Sequence, residues 1–296
     1  MRKILCIVLA VVLSSCSSIL RKPEVFSVKK IAIVSIYANS DLHDMKAPKN
    51  PKTTLNVLKA LMGKESDKSL EGSELVQIVT YGLKAYGEQL NSVQNWTVLP
   101  PLEVIKSEKY KKLMSQDDQS FMGEILKVFK NAEAEKWVTP VGMPRIPADN
   151  LTYGKGKKVV IKGRKDPVKD LIEKLAELCK ELQVDAVAVI GLDLAYKKGM
   201  LSSMSGTGLL SGVRGKATPA VASEIIIVSK NAKIAVETKL ISQGVEYSTS
   251  NSAPMMLKGK PDLKDSAGKS LEAYYKAVLK SAELIKGNIE KELNKK

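Results

Sequence analysis

The sequence predicts an α/β fold: a small mixed β-sheet with amphipathic helices packed on it. Three features carry that expectation. Two runs, "KKIAIVSIY" at 29–37 and "DAVAVIGLDLAY" at 185–196, are almost continuously apolar and rich in β-branched residues, the pattern of strands covered on both faces. Elsewhere apolar residues recur at three- and four-residue spacing, which gathers them on one face of a helix. At 223–242 two more strand-like runs lie a few residues apart, as in a hairpin.

The elements follow in order. After the first strand, residues 38–72 are polar and carry Pro48 and Pro51, so they read as a long loop with a short helix near 54–62. Ser73 is placed to cap the next helix, whose buried face is Leu75, Val79, Leu83, Tyr86 and Leu90. A short strand at 96–99 ends at Pro100 and Pro101, which have no N–H to give a ladder. Residues 107–137 read as helix in two pieces. The stretch 138–167, rich in Pro, Gly and Lys, reads as an irregular excursion with a hairpin near 157–162. Asp166 and Pro167 then suit the start of a helix, since a first-turn proline loses no bond. Its stripe is Val168, Leu171, Leu175, Leu178 and Leu182, with Cys179 beside it. Beyond the strand at 185–196, a Gly/Ser-rich loop is expected at 199–222. Two strands follow, joined tightly about Lys230 and Asn231. In the second, Ile234, Val236 and Leu240 alternate with Glu237 and Lys239, which predicts one buried face. Leu271, Tyr275, Val278, Ala282, Ile285 and Ile289 mark a long terminal helix. The expected order is β-α-β-α-α-β-β-β-α, with no internal repeat.

Charge narrows the function classes. The formal charge is +15, and loss of Arg2 and Lys3 with a leader lowers it to +13. Lysine supplies nearly all of it; past the leader the arginines are Arg21, Arg145, Arg164 and Arg214. Readers of nucleic acid favour the planar arginine fork, so this balance points to a solvated lysine surface drawn to anionic head groups or cell-wall polymers. No nucleic-acid partner is expected.

The amino terminus supplies an address. Arg2 and Lys3 precede an apolar run at 4–13. Ten helical residues rise about 15 Å, half of a ~30 Å hydrocarbon core, so the run has the size of a signal's hydrophobic region. It ends Leu13-Ser14-Ser15-Cys16, which resembles the bacterial lipobox. The resemblance implies a signal peptide at 1–15, acylation of Cys16, and residues 16–28 as a polar tether to a single domain at 29–296. Ser17 and Ser18 in place of aspartate favour, by analogy with Gram-negative sorting, the outer membrane. The alternative is an ordinary signal peptide with an incidental Cys16. Once the leader and anchor are set aside only Cys179 remains, so no internal disulfide is possible; it reads as a small buried hydrophobe.

The succession of lipobox, "KKIAIV" strand, long helix, "TVLPP" strand end, "LQVDAVAVIGLDL" and hairpin is similar to the periplasmic α/β domain of curli-secretion lipoproteins, penicillin-binding-protein activator lipoproteins and the TolB amino-terminal domain. That resemblance implies protein–protein contact in the envelope and no catalysis. The membrane-spanning hairpins of the curli-secretion family need strict alternation over ~9–11 residues per strand, which 138–167 and 199–222 lack, so pore activity is not implied.

No constellation points to chemistry. "GTGLLSG" at 206–212 misses the G-x-G-x-x-G spacing and does not open a helix. His43, the sole histidine, falls in a polar loop, and with one thiol besides the anchor no His/Cys metal site is expected. Asp117-Asp118 reads as a solvated helix start, and no serine occupies a nucleophile elbow. Lys155, Lys157, Lys158, Lys162, Arg164 and Lys165 form a candidate basic patch for a partner, or else a solvated hairpin. The expected function is a non-enzymatic, lipid-anchored envelope protein without cofactor. It would bind another envelope protein or a cell-wall polymer through the loops at 38–72, 138–167 and 199–217. A small-ligand-binding lipoprotein and a cell-wall hydrolase are the alternatives.

Overall fold

The structure is a computed structural model that describes residues 17–39, 43–44, 72–114, 137–143, 145–146, 167–198, 216–244, 247–248 and 269–294. Its elements are β1 (Ser17–Leu20), α1 (Lys22–Phe26), β2 (Lys30–Asn39), β3 (His43–Asp44), α2 (Gly72–Asn91), β4 (Thr97–Val98), α3 (Pro101–Lys106), α4 (Glu108–Met114), β5 (Trp137–Val138), α5 (Pro167–Glu181), β6 (Ala186–Lys198), β7 (Lys216–Ser229), β8 (Lys233–Gln243), β9 (Tyr247–Ser248) and α6 (Lys269–Leu293). The sheet runs β1-β8-β7-β6-β2-β4, with β3 on β6, β5 on β2 and β9 on β7. Strands β4, β2 and β6 are parallel, whereas β6, β7, β8 and β1 are antiparallel. The fold is therefore a mixed α/β sheet, as the sequence predicts.

Each face carries its own apolar layer. On one, Ile31, Ile33, Ile36, Ile190 and Leu192 pack against Leu75, Ile78 and Tyr86 of α2 and Tyr274, Val278 and Ile285 of α6. On the other, Ala32, Val34, Tyr37, Val187 and Val189 meet Val104 of α3, Tyr110 of α4 and Leu171, Leu175 and Leu178 of α5. Two buried faces explain the unbroken apolar runs in β2 and β6. A hydroxyl chain crosses the first layer. Tyr86 Oη lies 2.8 Å from Ser281 Oγ, and Ser281 bonds Ser223 of β7. Burial pushes the Tyr86 phenol up to about 12. Nearby, the Tyr274 hydroxyl donates to Ala195 O at 3.0 Å and Ser242 Oγ to Ala277 O at 2.7 Å.

Asp185 ties the sheet together at the start of β6. Its Oδ2 accepts the N–H groups of Lys29 and Lys30, each at 3.0 Å. Its Oδ1 takes Lys230 Nζ at 2.7 Å. Its own backbone exchanges bonds with Lys30 O and Lys230 N, both 2.8 Å. One carboxylate thus joins the start of β2, the start of β6 and the β7–β8 turn.

Several expectations need correction. The tether at 16–28 is, from Ser17 on, part of the body: β1 pairs with β8 from Ser17↔Lys239 to Leu20↔Val236, and Val25 and Val28 are buried. Ladder bonds use the backbone, so polar side chains in Ser17 and Ser18 do not prevent pairing. The loop at 199–222 ends early, because β7 begins at Lys216 and pairs with β6 through Pro219. Pro219 O accepts Gly244 N at 2.9 Å. A strand residue's N–H and C=O point the same way, so the N–H that Pro219 lacks falls on the β8 side, past the last β7–β8 pair Ala220↔Gln243. The loop at 38–72 loses Ala38 and Asn39 to β2. His43, expected in a loop, pairs with Ala195. Val138 of the 138–167 excursion belongs to β5. Helix α2 includes Ser73, the expected cap. Ile234 does not share a face with Val236: the register shifts between Ile227↔Val236 and Val228↔Ile234, so Val236 joins the first layer and Ile234 packs on the second. The hairpin turn has three residues, Lys230, Asn231 and Ala232, the last at φ 57°. The helix near 54–62, the hairpin near 157–162, Asp117-Asp118 and the "GTGLLSG" stretch lie outside the described residues.

Two measurements check this frame. The positive φ of Ala232 favours glycine, so Ala232→Gly should stabilise the protein by about 0.5–1 kcal/mol in urea unfolding. Asp185→Ala should destabilise it by about 1.5–3 kcal/mol, since charge-assisted bonds are lost. Burial pushes the Asp185 carboxyl up, but the Lys230 bond and the Lys30 and Lys29 N–H groups outweigh it and hold it below the ordinary 3.8. A depressed folded-state pKa means that the contribution is complete above the ordinary value and is lost as pH falls through the depressed one. The stability difference between the wild type and Asp185→Ala should therefore be constant from neutral pH to about pH 5 and shrink below about pH 4.

Candidate functional site

A β-bulge builds the most chemically distinctive site among the described residues. The β2–β6 register shifts between Ile33↔Ala188 and Ser35↔Val189. A bulge places one extra residue and reverses the alternation beyond it. Ile33 and Ile36 accordingly share one layer, and Val34 and Tyr37 the other. The Tyr110 hydroxyl donates to Val34 O at 2.6 Å, and Ser35 Oγ accepts Ile146 N at 2.9 Å. The Tyr37 ring lies over Gly191 of β6, where an added Cβ would stand 2.9 Å from its hydroxyl oxygen.

Tyr37 is the floor of a stacked group. Trp137, at the start of β5, meets it edge-on with centroids 5.0 Å apart and planes at 80°. The Arg145 guanidinium carbon sits 4.1 Å from the Trp137 centroid and 5.1 Å from that of Tyr37. Such cation–π contacts are worth about 0.5–2 kcal/mol. Trp137 Nε1 and Arg145 Nε are both enclosed and have no acceptor among the described residues. An enclosed N–H without a partner costs about 1–3 kcal/mol. Both unmet groups are donors closed to solvent, so the contact between the two side chains is made at the expense of their hydrogen bonds. No carboxylate pairs with Arg145 among the described residues.

The location follows from topology. Strand β2 is flanked by β4 and β6, both parallel to it. The chain leaves β2 for β4 through α2 on one face and reaches β6 through α5 on the other. In open α/β sheets, ligands bind beyond the carboxyl ends of parallel strands where successive connections diverge in this way. Tyr37 and Trp137 lie at that end of β2. The same segment turns at Val141 and Gly142, with Met143 N bonded to Pro140 O at 3.1 Å. Gly142 has φ 81° and abuts Ile105 of α3. Around that contact Val141 is 89% and Leu102 70% exposed, the two most exposed large apolar residues among those described.

Cys179 is buried, and burial raises its thiol to about 12, as for an inert core residue. No group of three His, Cys, Asp or Glu residues suited to a metal occurs among the described residues. No described helix is long and apolar enough to cross a membrane. Cys16 and the basic cluster Lys155, Lys157, Lys158, Lys162, Arg164 and Lys165 lie outside the described residues. The stacked group was not singled out in the sequence. Arg145 is one of few arginines and falls in the excursion at 138–167, but Trp137 is eight residues away and Tyr37 is a hundred farther. Only the bulge brings Tyr37 to their face.

No protein-family model matches this chain, and no curated protein matches it. Among solved structures it is similar to the hypothetical protein CT253 from Chlamydia trachomatis, at 9% identity and a TM-score of 0.31, over 89% of this chain and 98% of that one. A likeness of that degree carries no argument about function.

The seat of Tyr37 can be tested. Gly191→Ala should destabilise the protein by about 1–3 kcal/mol through overpacking and shift the fluorescence of the adjoining Trp137. Gly87→Ala, in α2 with nothing within 4 Å of the added Cβ, should instead stabilise it by about 0.5–1 kcal/mol and leave the fluorescence unchanged.

Proposed function

We propose that this protein is a lipid-anchored, non-enzymatic envelope lipoprotein that binds another envelope protein through the carboxyl end of its parallel strands. The Leu13-Ser14-Ser15-Cys16 sequence supports the anchor. The observation that carries the binding role is the exposure of Val141 and Leu102, each a few residues in the chain from the Gly142–Ile105 contact. Large apolar side chains gathered on a surface mark contact sites for other proteins. Trp137 and Arg145, which lie four residues before and after Val141 in the chain and meet each other, are of the residue types enriched at the centres of such contacts.

The anchor is checked by mass spectrometry of native material. The amino-terminal peptide should begin at an acylated Cys16, and Cys16→Ser should leave the leader uncleaved; an unmodified Cys16 would overturn the lipoprotein reading. For the binding role, the intact protein is captured from crosslinked envelopes beside a Leu102→Asp, Val141→Asp variant. A partner held by the wild type and lost by the variant is the expected result. Equal capture by both, or by an unrelated lipoprotein, would overturn the assignment of this surface.

A further inference from the structure

We infer that the acyl anchor on Cys16 mounts the domain on the bilayer without a tether, so that the β1–β8 edge of the sheet is a docking surface for the lipid head groups of the membrane that holds the anchor. This deepens the proposed function and rests on it for the acylation of Cys16. The absence of slack is argued from the fold.

The segment that follows the anchor is secured from its first residue. Ser17 stands opposite Lys239 in the β1–β8 ladder, and pairing continues to Leu20↔Val236. Arg21 N then donates to Ala235 O at 3.0 Å, one residue farther along the same strand. Glu24 of α1 takes Lys233 Nζ at 3.0 Å. Val25 and Val28 are buried in the first apolar layer, and Leu20 packs against it. Backbone pairing, an ion pair and burial therefore follow one another between Ser17 and Val28. A tether consists of residues that nothing holds, and none is left between Cys16 and the sheet.

Chain geometry sets the rest. Consecutive Cα atoms stand ~3.8 Å apart, so an acylated Cys16 lies one such step from a strand of the sheet. Acyl chains hold a protein by burying their methylenes in the bilayer, which keeps the residue that bears them at the depth of the head groups. Strand β1 is the edge of the sheet, with β8 about 4.8 Å behind it. Ser17 and Lys239 are thus carried to the lipid surface, and Ile241 lies two residues past Lys239 on the anchor's side. The other end of β8 is held away. Lys233, where that strand begins, is six residues from Lys239, about 20 Å of strand, and the β7–β8 turn lies beyond it.

The test measures which end of β8 meets lipid. Cys179 is buried, with its thiol pushed up to about 12, and Cys16 carries the acyl group, so an introduced surface cysteine alone takes a thiol label. The full-length lipidated protein carries bimane at Ile241→Cys or, in the β7–β8 turn, at Asn231→Cys. It is reconstituted into vesicles of phosphatidylethanolamine and phosphatidylglycerol with a nitroxide on a share of the head groups. The expected result is severalfold stronger quenching at position 241 than at 231. Should Ile241→Cys lower the thermal midpoint, Glu237→Cys, opposite Ile19, is used in its place. A twelve-residue Ser/Gly insert between Cys16 and Ser17, beginning Ser-Ser, has an end-to-end span of about 19 Å and should remove most of the difference. Equal quenching at the two positions would overturn the inference, as would quenching at 241 that the insert leaves unchanged. So would an unquenched position 241, the outcome expected if a protein strand covers the β1 edge in place of lipid. The mass of each sample's amino-terminal peptide reports acylation separately. An unmodified Cys16 would overturn the anchor reading and this inference together, whereas an acylated Cys16 with equal quenching would overturn this inference alone.

Discussion

The Asp185 carboxylate is the constraint on which the sheet's arrangement rests. Parallel pairing between β2 and β6 joins segments about 155 residues apart in the chain. Closing so long a loop costs conformational entropy before any side chain packs. A carboxylate that takes two successive backbone N–H groups and a lysine ammonium fixes where β2 begins against β6, with little freedom to slip. A one-residue slip would turn every side chain of β2 to the wrong face. The same residue holds the β7–β8 turn through Lys230, so the parallel and antiparallel halves of the sheet share one fixed point.

The bulge in β2 works within that fixed register. Below it, alternation supplies Ile31 and Ile33 to one layer and Ala32 to the other. Above it, the phase is reversed, and Tyr37 arrives on the face that carries Trp137 and Arg145. The bulge is itself held, by Tyr110 at the carbonyl of Val34 and by Ile146 at the hydroxyl of Ser35. Gly191 completes the arrangement by leaving room for the Tyr37 ring. Backbone irregularity, a helix tyrosine and a glycine on the neighbouring strand thus combine to position one cation–π group.

Much of the fold is legible in the sequence because hydrophobic periodicity reports burial directly. The runs at 29–37 and 185–196 read as doubly buried strands, and the helix stripes of α2, α5 and α6 stand at their expected positions. Legibility fails where the backbone decides. Ser17 and Ser18 look like a tether, yet pair through their main chains. Pro219 looks like a loop residue, yet sits where no ladder bond is missed. Ile234 and Val236 look like neighbours on one face, yet a register shift separates them. The stacked group fails for a related reason. Tyr37 lies at an odd position with Ile31 and Ile33, and strict alternation would send it to their layer. Nothing in side-chain chemistry announces an inserted residue two positions earlier.

The hydroxyl chain of Tyr86, Ser281 and Ser223 has a consequence for the carboxyl-terminal helix. Apolar side chains alone would let a long helix creep along its bed, since one greasy contact replaces another at each turn of about 5.4 Å. Here any such creep would strand three alcohols in a dry interior, from α2, from α6 and from the sheet. The chain of alcohols therefore acts as a detent: α6 has one seat, and α2 and β7 are notched to the same position by it.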